Sequence, residues 1–189
     1  PVKYNDFWGY INQHGDFIIE PYLQNAYPYS DCLALVLGDE GWGFIDETGS
    51  FIIGPGLSGA RSFSEGLAAV RTSEGWGYID TSGNQIIQPS FTLAESFSEG
   101  FAVVSSDNIN KGYIDTSGNH VIEEKYDIAL AFSEGVAFVY PYHYGPVPTI
   151  KSAYIYPDGS LALQPGHPGY NYGSFTEGLA PVYDQSELL

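Results

Sequence analysis

Apolar and polar residues follow a pattern along this chain that recurs about every 34 residues. In each period, two short segments rich in aromatic and β-branched residues, such as Gly77–Asp80 and Gln85–Gln88, flank a polar sequence, here Asp80–Gly83. Aspartate at the first and glycine at the fourth of these positions favour a tight turn, which predicts a β-hairpin. Gly66–Arg71 is similarly apolar and predicts a third strand. No segment has a helical period long enough to predict a helix.

The period divides the chain into five successive units in which the same residue types fall at the same offsets. The units begin at Trp8, Trp42, Trp76, Lys111 and Ser152, and they cover residues 8–41, 42–75, 76–110, 111–151 and 152–189. Each contains a turn glycine and ends in an Ala-x-Val pair. We therefore expect an all-β fold with one repeat domain over residues 1–189, in which each unit forms three strands.

Two arrangements suit three-stranded units of this length: a β-propeller-like closed ring and an open β-solenoid or superhelical stack. The chain starts with first and second strands, Trp8–Ile11 and Phe17–Ile19, and ends with a third strand, Leu179–Tyr183. These parts are complementary, so pairing them would complete one closing unit and hide both sheet edges. The sequence therefore favours the closed ring, with the open stack as the alternative.

The units can be written as Trp-Gly-Phe/Tyr-Ile-Asp-x-x-Gly, then Ile-Ile-x-Pro, then Phe-Ser-Glu-Gly-Leu-Ala-x-Val. This pattern resembles the bacterial WG (KWG) repeat family over nearly the whole chain. The resemblance is best in residues 42–75 and 76–110, and it weakens at Lys111 and in the fifth unit. It implies a repeat module without assigned chemistry that acts in binding or as a scaffold.

The charge balance narrows the classes of partner. The chain has 6 Lys and Arg against 23 Asp and Glu, a net charge of −17, and its few basic residues are scattered. Phosphate neutralisation needs a clustered positive surface, so nucleic acids and anionic membranes are not expected partners. No apolar run reaches the length of a membrane span, so no membrane insertion is expected. The single cysteine, Cys32, excludes an internal disulfide.

The Ser-Glu-Gly segments place one carboxylate before each third strand. In a closed ring these acids would gather near one axial mouth, where calcium or a cationic ligand group could bind. The alternative, which we favour, is that each acid or serine binds the backbone of a neighbouring unit and has a packing role. The candidate acidic ring consists of Glu65, Glu99, Glu134 and Glu177.

Aromatic residues suggest two further kinds of surface. The tryptophans that begin the first three units could stack on sugars, but an aromatic residue at each unit start is more typical of a core layer. Tyrosines that break the period are the stronger candidates, because insertions in repeat proteins form loops that often carry the binding face. Rigid Tyr and Pro side chains suit recognition of a protein or a glycan. The candidate binding residues are Tyr140, Tyr142, His143, Tyr144, Tyr170 and Tyr172.

No catalytic motif stands out in this sequence. The four histidines lack metal-ligand spacing, and there is no nucleophile elbow or phosphate-binding loop. We therefore expect a non-enzymatic module without a cofactor that recognises a protein or surface glycan, with an exterior bacterial location favoured by its acidity. The alternative is a structural or assembly unit, a spacer or a stacking repeat without a small ligand. The sequence leaves the oligomeric state open.

Overall fold

A computed structural model describes residues 1–141, 152–165 and 170–184 of the chain. Twenty β-strands and no helix are found in these ranges, and the paired strands whose register is resolved run antiparallel. The predicted all-β class is therefore confirmed. The chain divides into two compact units, Pro1–Ser90 and Phe91–Leu189, which are described separately below. The prediction of one domain over residues 1–189 stays a prediction.

The first unit contains three sheets. The N-terminal sheet has the order β1-β2-β3, with β1 (Val2–Tyr4), β2 (Phe7–Ile11) and β3 (Phe17–Leu23). The second has the order β4-β5-β6-β7, with β4 (Asn25–Ser30), β5 (Leu33–Gly38), β6 (Gly41–Ile45) and β7 (Phe51–Leu57). The third repeats this order with β8 (Gly59–Ala60), β9 (Leu67–Thr72), β10 (Gly75–Asp80) and β11 (Gln85–Phe91).

The second unit contains one large and one small sheet. The large sheet has seven strands in chain order, β12 (Leu93–Ala94), β13 (Phe101–Ser105), β14 (Lys111–Asp115), β15 (His120–Ala129), β16 (Ala137–Pro141), β17 (Ala153–Ile155) and β18 (Leu161–Leu163). The small sheet pairs β19 (Tyr170–Tyr172) with β20 (Val182–Asp184). The ten-residue β15 pairs with β14 along one part and with β16 along another, so it joins two repeats.

The prediction of three strands per unit is wrong, because the four-stranded sheets contain an additional strand, which has six residues in β4 and two in β8. Gly59–Ala60 pairs with Arg71 and Val70 of the third strand, and Leu93–Ala94 pairs with its own third strand in the same way. Each four-stranded sheet also combines two sequence units: β4 and β5 come from the first, β6 and β7 from the second. Two-residue strands have no alternation of apolar and polar residues, so the sequence does not reveal them.

The pairing of strands at the start of the chain does not support the predicted closing sheet. Trp8 and Gly9 of β2 pair with Lys3 and Val2 of β1, so this edge of β2 is already occupied. Its other edge pairs with β3, while β20 pairs with β19. Closure of a propeller-like ring is therefore not supported.

A large bulge explains the glycine that follows the first residue of each of the first four units. Trp8 lies opposite Leu23 and Tyr10 opposite Ile19, so β3 advances four residues where β2 advances two. A Cβ atom on Gly9 would lie 2.4 Å from the Ile19 carbonyl oxygen, and one on Gly112 would lie 2.6 Å from that of Ile122. Only glycine allows this approach. The strand that contains Ile-Ile-x-Pro thus continues past its proline.

The predicted Asp-x-x-Gly turns are confirmed. Asp80 accepts hydrogen bonds at its carboxylate from the backbone N–H groups of Ser82 and Asn84, and its carbonyl accepts one from Gly83. Gly83 has φ of +83°, which favours glycine. Asp46, Asp115 and Asn12 make the same pair of side-chain contacts in their own turns.

The core lies along the third strands and a recurring pair of aromatic rings. Residues 33–36 of β5 and 67–70 of β9 are buried at every position, so these strands are covered on both faces. In the first, second and fourth units, the ring two residues after the unit start packs on another ring 19 residues later. The centroids are 4.7 Å apart for Phe44 and Phe63 and 4.9 Å apart for Tyr113 and Phe132. The tryptophans are only half-buried, so the main inter-repeat core is formed by Tyr and Phe instead.

Candidate functional site

The Ser-Glu-Gly segments bind the backbone of the following repeat. In the first compact unit, the Ser30 hydroxyl donates to the Phe63 carbonyl at 2.6 Å, and the Asp31 carboxylate accepts from the Gly66 N–H at 2.8 Å. We call this pair of hydrogen bonds the inter-repeat clamp. It makes each repeat satisfy polar backbone groups of the next one.

The inter-repeat clamp recurs twice in the second compact unit. The hydroxyls of Ser98 and Ser133 donate to the carbonyls of Phe132 and Phe175 at 2.8 and 2.7 Å. The carboxylates of Glu99 and Glu134 accept from the N–H groups of Gly135 and Gly178, each at 2.9 Å. These contacts are the packing role that the sequence analysis favoured for the segments.

The residues of the candidate acidic ring share a strained backbone conformation. Glu65, Glu99, Glu134 and Glu177 have φ values between +53° and +56°. This left-handed conformation is uncommon for glutamate, so the surrounding structure must hold it. Among residues 1–141, 152–165 and 170–184, no group of three or more His, Cys, Asp or Glu side chains is arranged to hold a metal ion. The carboxylates of Glu99 and Glu134 are instead held by backbone N–H groups.

The candidate tyrosines are only partly within the described residues. Tyr142, His143 and Tyr144 lie outside them. Tyr140 pairs with Ile128 in the strand that leads to this segment, while Tyr170 and Tyr172 lie in β19. The side chain of Tyr170 lies outside the described part of the structure.

An aromatic cluster connects the strands that flank the two irregular segments. The Phe138 ring of β16 lies 5.8 Å from the Tyr172 ring of β19 and 5.5 Å from the Tyr154 ring of β17. The Tyr154 hydroxyl donates to the Gly173 carbonyl at 2.8 Å. Because β16 leads into residues 142–150 and β19 follows residues 166–169, the structure brings one end of each irregular segment to the same cluster.

A shallow cavity of about 300 Å³ lies beside this cluster, in the second unit. It is lined by Glu134, Tyr154, Tyr156, Leu163 and Phe175, among others. Sequence reasoning did not select Tyr156 or Leu163. The available signal was the change from Ile-Ile in the first three units and Val-Ile in the fourth to Ala162-Leu163 here.

The perturbed pKa values of the described residues have structural causes. Hydrogen bonds from Asn84 hold the pKa of the Asp80 carboxyl below its ordinary value, and those from Asn119 do the same for Asp115. Burial raises the pKa of the Tyr113 hydroxyl, which donates to the Leu130 carbonyl at 2.7 Å. These groups stabilise turns and the core, so none of them marks an acid–base pair.

The single cysteine lies in one of the clamp segments. Cys32 is free and exposed, and it takes the position that glycine holds in the other clamp segments. Its φ of +66° lies in the same left-handed region as the φ angles of the corresponding glycines.

No helix in the described ranges is long and apolar enough to cross a membrane.

Comparisons with known proteins identify the repeat. A family model described as "WG containing repeat" matches residues 8–37, 42–74, 76–108 and 112–140, which together exceed half of the chain. No match to a curated protein reaches significance. Among solved structures, the computationally designed Ika4 protein is 11% identical, with 68% of this chain and 87% of that chain covered and a TM-score of 0.44. A similarity this weak indicates neither fold nor function.

Proposed function

The chain belongs to the family of WG-containing repeat proteins, and from that premise we propose that it is a non-enzymatic scaffold that binds a protein or a surface glycan. The binding surface is formed by the two irregular segments, with Tyr140, Tyr142, His143, Tyr144, Tyr170 and Tyr172 as its contact residues. The regular repeats serve to hold these segments.

The contact between Phe138 and Tyr172 carries this proposal. Phe138 lies three residues before Pro141, where β16 ends, and Tyr172 lies two residues after the start of β19. Strands rise about 3.3 Å per residue, so one end of each irregular segment lies within about 10 Å of this contact. Both segments therefore have a common base on a rigid sheet, which favours their use as one surface.

The titratable side chains are engaged in structural hydrogen bonds, which supports a non-enzymatic role. Glu99, Glu134 and Asp80 bind backbone N–H groups of turns or clamps, and the buried Tyr113 and Tyr154 hydroxyls donate to carbonyls. A catalytic acid or base needs a free reacting group beside a substrate site. The net charge of −17 also favours a neutral or cationic partner over a polyanion.

The experiment compares the full chain with Tyr142→Ala/Tyr144→Ala and with a matched control, Tyr22→Ala. Tyr22 is exposed and lies in the other compact unit. Each protein is applied to a printed array of defined glycans and to a phage-displayed peptide library. We expect the wild type and the Tyr22 variant to retain the same binders and the double variant to lose them, with unchanged melting temperatures. Equal loss in both variants, or no binder for the wild type, contradicts the proposal.

For the arrangement of the repeats, we propose the open stack rather than the closed ring. The occupied edge of β2 supports this, as does the clamp, which always points from one repeat to the next. Small-angle scattering of the dilute chain tests it, because a compact globule of this length has a radius of gyration of about 16 Å. We expect a clearly larger value, and a value near 16 Å contradicts the open stack.

A further inference from the structure

A second cavity, of about 270 Å³, lies in the first compact unit. Its lining comes from β3, from β7 and from the turn between β5 and β6, and consists of Tyr22, Gly38, Asp39, Glu40, Phe51 and Pro55. The sheets that precede and follow it along the chain are both described, so the cavity is enclosed by the repeats themselves. It shares no lining residue with the cavity beside Tyr154.

Two aromatic rings and a proline form the apolar part of this cavity. The Phe51 ring lies over the bare backbone of β6, because a Cβ built on Gly43 would lie 2.9 Å from its Cε1 atom. Tyr22 is 50% exposed and Phe51 is 36% exposed. Both rings are therefore fixed to the sheets at one side and accessible to a ligand at the other.

Gly38 keeps the cavity open. The nearest atom that a Cβ on Gly38 would meet is Cζ of Phe51, at 4.0 Å. In the first sheet the equivalent residue is Tyr4, and its ring packs on Phe17, the equivalent of Phe51, with centroids 6.4 Å apart. A side chain thus occupies in the first sheet the space that is open in the second.

The pair of rings is not repeated in the third sheet. There, Gln85 takes the place of Phe51 and Gly56 takes the place of Tyr22. The Gln85 amide donates to two backbone carbonyls of its own sheet, the closer at 2.6 Å. A packing role recurs in each repeat, as the clamp does, whereas a binding site needs one copy. This departure from the repeat pattern therefore favours a ligand role for the cavity.

The charged residues that line the cavity are both acidic. Asp39 and Glu40 form the turn between β5 and β6, and both are exposed. The Gln24 amide donates to Oδ1 of Asp39 at 3.1 Å, which orients this carboxylate. The faces of the two rings also carry partial negative charge. A cation with an apolar body is therefore complementary to both parts of the lining, whereas an anion is complementary to neither.

We propose that this cavity binds a small organic cation, a quaternary ammonium group on a short alkyl chain. Its methyl groups contact Tyr22, Phe51 and Pro55, while Asp39 and Glu40 balance its charge. A primary ammonium is compact and strongly hydrated, so it gains less from leaving water for an aromatic surface.

The size of the cavity and the charge of the chain agree with this ligand. A volume of about 270 Å³ is below that of most drug-sized sites, so it suits a ligand of few atoms. The net charge of −17 raises the local concentration of any cation. The site is additional to the surface proposed for the tyrosine segments, and neither depends on the other.

Titration of the isotopically labelled full chain, followed by nuclear magnetic resonance, tests the site. The probe is choline, and the control is the neutral alcohol in which a carbon atom replaces the nitrogen of choline, both at constant ionic strength. We expect choline to shift the amide resonances of Gly38 and Gly41 to saturation, and the alcohol to bind about tenfold more weakly. Equal affinities, or no saturable shift at these two glycines, would overturn the proposal.

Two variants remove the proposed contacts one kind at a time. Tyr22→Ala deletes an exposed ring, and Asp39→Asn with Glu40→Gln deletes both charges while an acceptor for the Gln24 amide remains. We expect each to weaken choline binding about tenfold with an unchanged melting temperature. Glu74→Gln, in the corresponding turn of the third sheet, is the matched control and should bind as the wild type does. Wild-type affinity in either lining variant would contradict the proposal.

Filling the cavity gives an independent test. Gly38→Leu directs a side chain towards the Phe51 ring without a close contact of its Cβ, so we expect a folded protein that no longer binds choline. Retained binding by this variant would exclude the cavity as the site. Tyr142→Ala/Tyr144→Ala should bind choline normally, whereas Tyr22→Ala, the control for those segments, should not. Failure of this proposal and failure of the tyrosine-segment proposal therefore give different results.

Discussion

The Glu99 carboxylate accepts a hydrogen bond of 2.9 Å from the backbone N–H of Gly135, which lies 36 residues further along the chain. Glu134 repeats this contact with Gly178. A residue selected at the sequence level as part of a cation site is therefore a connector between repeats. The following predictions test this and three other local features.

Replacing Glu99 should loosen one repeat from the next. Glu99→Ala removes the acceptor of the Gly135 N–H, and we expect it to lower the free energy of unfolding by about 1 kcal/mol. Glu99→Gln keeps an acceptor oxygen and should cost less. Urea unfolding measures both, with Glu123→Ala as an exposed control. An equal effect of all three changes would show that the clamp contributes nothing.

Gly112, which takes the position of the Trp-Gly glycine in the fourth unit, should tolerate no side chain. In Gly112→Ala, the new Cβ would lie 2.6 Å from the Ile122 carbonyl oxygen, so the bulge must shift. We expect a loss of about 2 kcal/mol, as for overpacked cores. Gly54→Ala is the control, because nothing lies within 4 Å of its Cβ. Thermal unfolding of the two variants should differ clearly, and similar melting temperatures would contradict the account of the bulge.

The Tyr113 hydroxyl should stabilise the folded protein at neutral pH and make its stability fall at alkaline pH. Tyr113→Phe removes the donor to the Leu130 carbonyl, which should cost about 1 kcal/mol at neutral pH. Burial raises the pKa of Tyr113, so above the ordinary value of 10.0 the unfolded chain loses this proton before the folded chain does. Stability therefore falls as the pH rises above 10.0. The variant should show a shallower fall in unfolding experiments across this range, and an unchanged slope would contradict the assignment.

The turn aspartates should make the protein sensitive to acid. Hydrogen bonds from Asn84 lower the pKa of Asp80 below 3.8, so its stabilising effect is present above that pH and is lost as the pH falls through the folded-state pKa. Asp107, with a pKa of about 2, follows the same rule. Asp80→Asn should fold normally, because Asn12 makes the equivalent turn. Its acid unfolding should be less steep than that of the wild type, and an unaltered profile would show that Asp80 does not contribute.

Sequence reasoning succeeded where local chemistry decides the structure. The Asp80–Gly83 turn is set by a side chain that binds backbone two and four residues away and by a glycine with positive φ, and both are visible in the sequence. It failed where the structure of a segment is decided by the strand that pairs with it. Gly59–Ala60 becomes a strand only because β9 lies beside it, and the closing sheet is not supported because Val2–Tyr4 pairs with β2.

The candidate site shows the same limit. The sequence favoured a packing role for Ser98-Glu99 on the backbone of a neighbouring unit, but it could not identify the Phe132 carbonyl and the Gly135 N–H as the groups that the pair binds. Residue size suggested tryptophan as the core aromatic, whereas the half-buried Trp42 packs at the edge of the cluster that Phe44 and Phe63 fill. The tyrosine segments remain a prediction, supported at their base by Phe138 and Tyr172.

The ten-residue β15 has a thermodynamic consequence. Because one continuous strand supplies hydrogen bonds to both β14 and β16, neither flanking repeat can lose its pairing without affecting the other. In a repeat protein, such a shared element raises the coupling between neighbours relative to their intrinsic stabilities. The seven strands of this sheet should therefore open as one cooperative block, whereas the sheets of the first unit, which share no strand, can open in smaller steps.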